Sequence, residues 1–259
     1  MPVITLTTDW GRRDHYLAAF KGELFSLLPE ANVFDITHEV EPFNTLQASY
    51  VLKNCFQKFP EGAIHFIGLS ASKEKSQGYL LVKAHNHFFI GYDNGIFYLT
   101  LGDVEKEIFL LDMDVRIPIP KAFRKMIEVM LELANSTPYN SFGTPVNELV
   151  KVFHMQPTVT QSGIRCTVIY IDWYENIVLN ITKDLFEQVG RNRAFTLYLN
   201  SDYHFNRINS NYDEAEEGEP VILFNDNGNM EVALNRSNAA GLLGVKLFDT
   251  VRIEFHDAR

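Results

Sequence analysis

The sequence predicts an α/β N-terminal domain with a central, largely parallel sheet, followed by a smaller all-β domain. Three observations carry that prediction. Between Val3 and Leu69, short apolar runs alternate with segments whose apolar residues recur at three- and four-residue steps, the pattern of strand–helix units. After Pro157 that spacing gives way to strand-like runs parted by polar turns, which divides the chain into domains 1–157 and 158–259 with the junction near 155–162. The 259 residues are 46% hydrophobic and include 20 Phe and 11 Tyr, enough for sizeable, aromatic-rich cores.

Val3 to Thr7 reads as a buried strand, and the polar turn Thr7-Thr8-Asp9-Trp10-Gly11 follows it. A helix is expected from Asp14 to Leu28, because Tyr16, Leu17, Phe20, Leu24 and Leu27/Leu28 share one face and Pro29 ends it. Ala31–Thr37 is the next strand, Thr45–Phe59 a second helix, and Ala63–Leu69 a third strand. Tyr79–Lys83 and His87–Gly91 read as strands around His85-Asn86, and Asp93-Asn94-Gly95 as a turn. A third helix is expected over Phe123–Ala134, and loop over Asn135–Pro145. The second domain contributes strands at Ile164–Asp172, Ala194–Leu199, Pro220–Phe224, Asn229–Leu234 and Thr250–Phe255. Tyr203–Glu219 is polar and acidic and reads as an exposed loop.

Several function classes are disfavoured. A net charge of -10 without a basic run argues against a nucleic-acid surface, which needs clustered Lys and Arg. Cys55 and Cys166 lack ligand spacing and read as reduced core thiols, so no metal is expected. No signal peptide is recognisable, and no apolar run reaches the roughly 18 residues of a membrane span, so a cytoplasmic protein is expected.

In an open α/β sheet, ligands sit at the carboxyl ends of the strands. Asp9 stands at such an end. A carboxylate there can accept both hydroxyls of a ribose diol, or it can cap the following helix; residue chemistry leaves both open. The Leu69–Ser76 loop is small and polar but has no phosphate-cradle motif, and its lysines read as solvated. His38-Glu39 lacks the second His of a zinc helix, so His38 reads as a hydrogen-bonded structural residue, and His85 and His87 as surface residues. There is no G-x-S-x-G elbow and no G-x-G-x-x-G after the first strand.

Taken together, several segments resemble one family. Thr7-Thr8-Asp9-Trp10-Gly11-Arg12-Arg13-Asp14-His15-Tyr16, ending in Phe20-Lys21-Gly22, resembles the TDFGxxDxYVGxxKG opening of the S-adenosylmethionine hydroxide adenosyltransferase family, which includes the fluorinases and chlorinases. Asp35 to Val40 matches its DITHEV, Phe59 to His65 resembles FPxGTVH, and Gly91 to Gly95 resembles GPDNG. Tyr170 to Ile181 resembles YIDxFGNxxTNI, and the segments from Phe224 to Gly244 resemble NSxGxLEIAxNxGNAAxxLG.

The resemblance implies a barrel-like second domain and a homotrimer, with S-adenosylmethionine as substrate, no cofactor, and sites shared between subunits. It implies attack of water or hydroxide on the ribose C5′, giving adenosine and methionine. By carry-over, Asp9 binds the ribose hydroxyls, Phe43 packs on the nucleoside, Tyr174 and Asn176 contact adenine, and Asp172 lies near the methionine ammonium. The departures fall on the chemistry. The family's nucleophile-organising Asp is replaced by Ser70, within Ser70-Ala71-Ser72-Lys73, or by Leu69 with a one-residue shift; its Arg falls in Lys75 to Gln77, and its His is Arg124. Lys125 takes a serine position, Asp226 with Asn227 takes that of the carboxylate-binding Ser, Glu175 replaces a Gly, and Leu179 a Thr. Ser70, Ser72, Lys75 and Arg124 are therefore the catalytic candidates. Three readings stand: a hydrolase with a rebuilt nucleophile site, a non-catalytic nucleoside binder, and an enzyme acting on another adenosyl or ribosyl compound.

Overall fold

The computed structural model describes residues 3–69, 78–113, 119–152 and 155–257. The chain forms two compact units, Met1–Phe153 and His154–Arg259. The first contains β1 (Val3–Thr8), α1 (Tyr16–Leu27), β2 (Asn32–Thr37), α2 (Thr45–Lys53), β3 (Ile64–Gly68), β4 (Tyr79–Ala84), β5 (His87–Tyr92), α3 (Ile96–Leu101), β6 (Lys106–Leu111), α4 (Ile119–Ala134) and β7 (Gly143–Val146).

Its seven strands lie in the order β2-β1-β3-β5-β4-β6-β7. Strands β2, β1, β3 and β5 run parallel, whereas β4, β6 and β7 join by antiparallel pairing. The sheet is thus mixed rather than largely parallel. The cause is local: His85 and Asn86 both take positive φ, 51° and 61°, the geometry of a two-residue hairpin turn, and such a turn can only connect antiparallel strands.

Helices cover both faces. On one, Ile4, Leu6, Phe66, Leu81 and Ile90 pack against Phe20 and Leu24 of α1 and Met126, Ile127 and Met130 of α4. On the other, Ile67, Leu80, Val82 and Phe89 meet Ala48 and Leu52 of α2 and Ile96 and Phe97 of α3. Each fully buried Leu, Ile or Phe contributes about 1.5–3 kcal/mol, so these two layers fix where the strand ends lie. Helix α2 stops at Lys53 and is followed by a 3-10 turn, Phe56–Lys58, so it is shorter than the periodicity predicted. At its start, the Asn44 side chain accepts from Gln47 N, and Gln47 Oε1 accepts from Glu41 N three residues before the cap. Strands β6 and β7 and helix α3 are additional to the sequence-based expectation, and α4 begins four residues before Phe123.

The second unit comprises β8 (Thr158–Val159), β9 (Gly163–Ile171), β10 (Ile177–Thr182), α5 (Lys183–Gly190), β11 (Ala194–Tyr198), β12 (His204–Phe205), β13 (Pro220–Phe224), β14 (Asn229–Leu234), α6 (Ala239–Leu243) and β15 (Thr250–His256). Its strands pair antiparallel in the order β12-β11-β15-β9-β10-β14-β13, with β8 beside β9. One core draws side chains from six of these strands, among them Ile164, Leu179, Leu197, Ile222, Val232 and Ile253, so the sheet curls around it as a barrel does. Asn209 draws the two ends together: its N–H donates to Ile222 O at 2.6 Å, and its Oδ1 accepts from Ile222 N at 3.2 Å. The 203–219 segment is therefore not wholly an exposed loop, because it holds β12 and the buried Asn209. Among the described residues, no helix is long and apolar enough to cross a membrane.

Candidate functional site

The parallel strands β1, β3 and β5 end together at one side of the first sheet, and a cavity of about 1020 Å³ opens there. Asp9, Trp10 and Gly11 line it from the end of β1, Gly68 and Leu69 from β3, and Tyr92 from β5. Trp10 forms one wall because it belongs to an aromatic cluster, with ring centroids 5.4 Å from Phe20, 5.8 Å from Phe66 and 4.6 Å from Phe123. Gly68 makes that position possible, since a Cβ there would sit 2.5 Å from the indole.

Asp9 is 8% exposed, and its Oδ2 accepts from Phe43 N at 3.0 Å. It does not cap α1, whose N-cap is His15. The two loops are joined twice more. Gly11, at φ 64°, donates its N–H to His38 O at 2.8 Å, and Thr8 Oγ1 lies 2.8 Å from His38 Nδ1. The Phe43 N–H thus helps to hold the carboxylate at the strand end.

His38 is fully buried beneath this turn. Its Nε2 lies 3.2 Å from Asp35 Oδ1, a Coulombic contact without hydrogen-bond alignment, and Lys21 Nζ is 2.6 Å from Asp35 Oδ2. Burial pulls the His38 pKa below its ordinary value, opposed by Asp35. Burial pushes Asp35 up, but Lys21 and His38 outweigh it and hold the carboxyl below the usual range. The Thr8–His38–Asp35–Lys21 chain runs from below the cavity towards the surface.

In the second unit, Asp172 organises the β9–β10 turn. Its Oδ1 accepts from Tyr174 N at 2.9 Å and Asn176 N at 2.8 Å, and its Oδ2 from Asn176 Nδ2 at 3.1 Å. Asn176 is buried, whereas Trp173 and Tyr174 are 94% and 74% exposed. Glu175 has φ 61°, which accounts for the glycine in the family pattern. The glutamate compensates: its Oε2 accepts from Gly241 N at 2.9 Å and its carbonyl from Ala240 N, so it caps the start of α6.

Asp226 and Asn227 lie in the β13–β14 turn, at the opposite end of β10 from Asp172, as Lys183 N donating to Gly228 O shows. Between the two turns lies buried Glu231, which accepts from Tyr212 Oη and, at 3.2 Å, from Asn225 Nδ2. Burial, Glu231, Asp172 and Asp226 all raise the Tyr212 pKa. The sequence reading did not single out Glu231 or Tyr212. A carboxylate within an otherwise apolar strand, on the face opposite Met230 and Val232, was the available signal.

Among the other candidates, Phe43 has φ 68°, is 66% exposed, and meets Asp9 through its backbone N–H without itself lining the cavity. Arg124 pairs with Glu23 at 3.0 Å and Glu128 at 3.2 Å instead of lining the cavity. Ser70, Ser72 and Lys75 lie outside the described residues. His87 is not a surface residue: it is 3% exposed, because its ring closes the buried chain from Thr5 Oγ1 to His65 Nδ1 at 2.7 Å and from His65 Nε2 to His87 Nδ1 at 3.2 Å. Both cysteines are free thiols, and burial pushes Cys55 up to about 11 and Cys166 up to about 12. No group of three metal-ligating side chains occurs among the described residues.

The SAM hydroxide adenosyltransferase N-terminal domain matches residues 4–137, and the corresponding C-terminal domain matches residues 166–252. An (R)-S-adenosyl-L-methionine hydrolase of Methanocaldococcus jannaschii is 26% identical, over 98% of this chain and 96% of its own. One from Salinispora arenicola is 27% identical over 97% of each, and a fluorinase of Actinopolyspora mzabensis is 24% identical over 97% of each. An uncharacterized conserved protein from Thermotoga maritima shares the fold with a TM-score of 0.85 at 24% identity, over 97% of this chain and 99% of that one. With both domains matched in order along the chain, this protein belongs to the SAM hydroxide adenosyltransferase family.

Proposed function

We propose that this protein hydrolyses S-adenosylmethionine to adenosine and L-methionine, with the ribose held in the cavity at the ends of β1, β3 and β5. The observation that carries the reading is Asp9: a buried carboxylate anchored by the Phe43 N–H and facing a cavity with aromatic walls. Such a carboxylate accepts the two hydroxyls of a ribose diol, and Trp10, Phe20, Tyr79 and Tyr92 supply apolar surface for a nucleoside.

The chemistry asks little of an acid. Water attacks C5′, the C5′–S bond breaks, and the sulfonium leaves as a neutral thioether that needs no proton. The protein's task is to aim the water and strip it of competing solvent. Asp172, Tyr174 and Asn176 complete the proposed substrate contacts at one end of β10, with Asp226 and Asn227 at its other end, in a cytoplasmic homotrimer whose subunits share sites. Light scattering of the purified protein tests the trimer.

Incubation with S-adenosylmethionine should yield adenosine and methionine in equal amounts. Asp9→Ala should weaken nucleoside binding at least tenfold by calorimetry; unaltered affinity refutes the role given to Asp9. A second reading, a nucleoside-binding protein without turnover, draws on Arg124, whose guanidinium is committed to Glu23 and Glu128. Tight binding of S-adenosylmethionine without product formation would favour it.

A further inference from the structure

Tyr92 ends β5, the last of the parallel strands, and stands where the family pattern GPDNG has proline. Strand alternation puts it on the same face as Phe88 and Ile90, which pack in the core shared with α1 and α4. Its side chain is 7% exposed and lines the cavity. Its Oη is shielded from solvent and has no hydrogen-bond partner among the described residues. The phenol ring of Tyr79 meets it edge-on, with centroids 5.1 Å apart, and offers it no hydrogen bond.

A buried phenol normally finds a partner, and an orphaned one on the wall of a cavity asks for an explanation in terms of what fills that cavity. Position narrows the answer. Strand β3 separates β5 from β1, so Tyr92 stands two strand spacings from the strand that carries Asp9, roughly 10 Å. That separation suits a ribose with its diol on Asp9 and its 5′ end towards Tyr92. It also places the phenol beside Gly68 at the end of β3.

We propose that Tyr92 Oη is the hydrogen-bond partner of the oxygen at the ribose 5′ position: the attacking water before reaction and the adenosine 5′-hydroxyl after it. The assignment rests on the nucleoside reading of the cavity. In the step itself, the water oxygen forms the C5′–O bond as C5′–S breaks. The bonding pair leaves with sulfur, and the surplus proton passes to solvent. Tyr92 holds the oxygen in line and neither gains nor loses a proton.

The test compares adenosine with 5′-deoxyadenosine, which lacks that oxygen, on the wild type and on Tyr92→Phe by isothermal titration calorimetry. One net hydrogen bond predicts a wild-type preference for adenosine of roughly 2- to 12-fold. Tyr92→Phe should bind the two nucleosides equally. Its urea midpoint should match or exceed the wild type's, because no bond within the free protein is lost. An undiminished preference in the variant, no preference in the wild type, or a lowered urea midpoint overturns the assignment while the nucleoside reading stands. A wild type that binds neither nucleoside overturns that reading and this assignment with it.

Discussion

Acidification from pH 7 to pH 5 should cost this protein roughly 2 kcal/mol through His65 alone. His65 is wholly buried on β3 between Thr5 and His87, and the rings of Phe56, Phe59 and Phe89 surround it. One neutral arrangement satisfies the chain: the Thr5 hydroxyl donates to Nδ1 of His65, and Nε2–H donates to Nδ1 of His87. A second proton on His65 would leave a charge in an apolar layer and oblige the Thr5 hydroxyl to turn from donor to acceptor. Burial, reinforced by His87, accordingly lowers its pKa from 6.5 to about 3. The unfolded chain takes up a proton near pH 6.5 while the folded one refuses it to about pH 3. Across that window the unfolded state binds more protons, so stability falls as pH falls, by at most about 1.4 kcal/mol per pH unit. Urea unfolding of the wild type and His65→Asn at both pH values isolates the effect. The variant is less stable at pH 7, but its loss on acidification should be smaller than the wild type's by about 2 kcal/mol. Equal losses in the two proteins would refute the reasoning, because the remaining titrating groups are common to both.

Three further outcomes follow from packing and capping. Glu175→Ala gives up the bond to Gly241 N but keeps the positive φ, so it should cost about 1–2 kcal/mol; Glu175→Gly relieves the strain and should be about 1 kcal/mol more stable than the alanine variant, as thermal unfolding would show. Gly91→Ala would set a Cβ 2.7 Å from the Ile67 carbonyl and should destabilise by about 1–3 kcal/mol in urea, whereas a neutral result would mean that the strand pair can spread. Tyr212→Phe removes one of the two donors to buried Glu231 and should cost about 1–3 kcal/mol by chemical denaturation.

Much of the fold was legible because burial leaves a periodic trace. Helix α1 declared itself through Phe20 and Leu24, and β3 through an apolar run, broken only by His65, that both sheet faces bury. The shorter elements left no such trace. Helix α3 has six residues and β7 contains a proline, and neither spans enough turns or alternations to show a period. His87 was misread because a histidine beside a turn looks solvated unless its partner is known, and that partner, His65, is 22 residues away.

The site divides along the same line. Sequence alone determined that a carboxylate stands at the end of the first strand and, through the ordered motifs from Thr7 to Gly244, which family pattern the chain resembles. Tertiary structure decided what that carboxylate does locally. Asp9 takes the Phe43 N–H from a loop 34 residues on and leaves the capping position of α1 to His15. It also decided that Arg124 is tied to two glutamates and that Tyr92 brings to the cavity wall a phenol without a partner among the described residues. The physical reason is that side-chain type is written residue by residue, whereas a hydrogen-bond partner exists only once distant segments have been packed against each other.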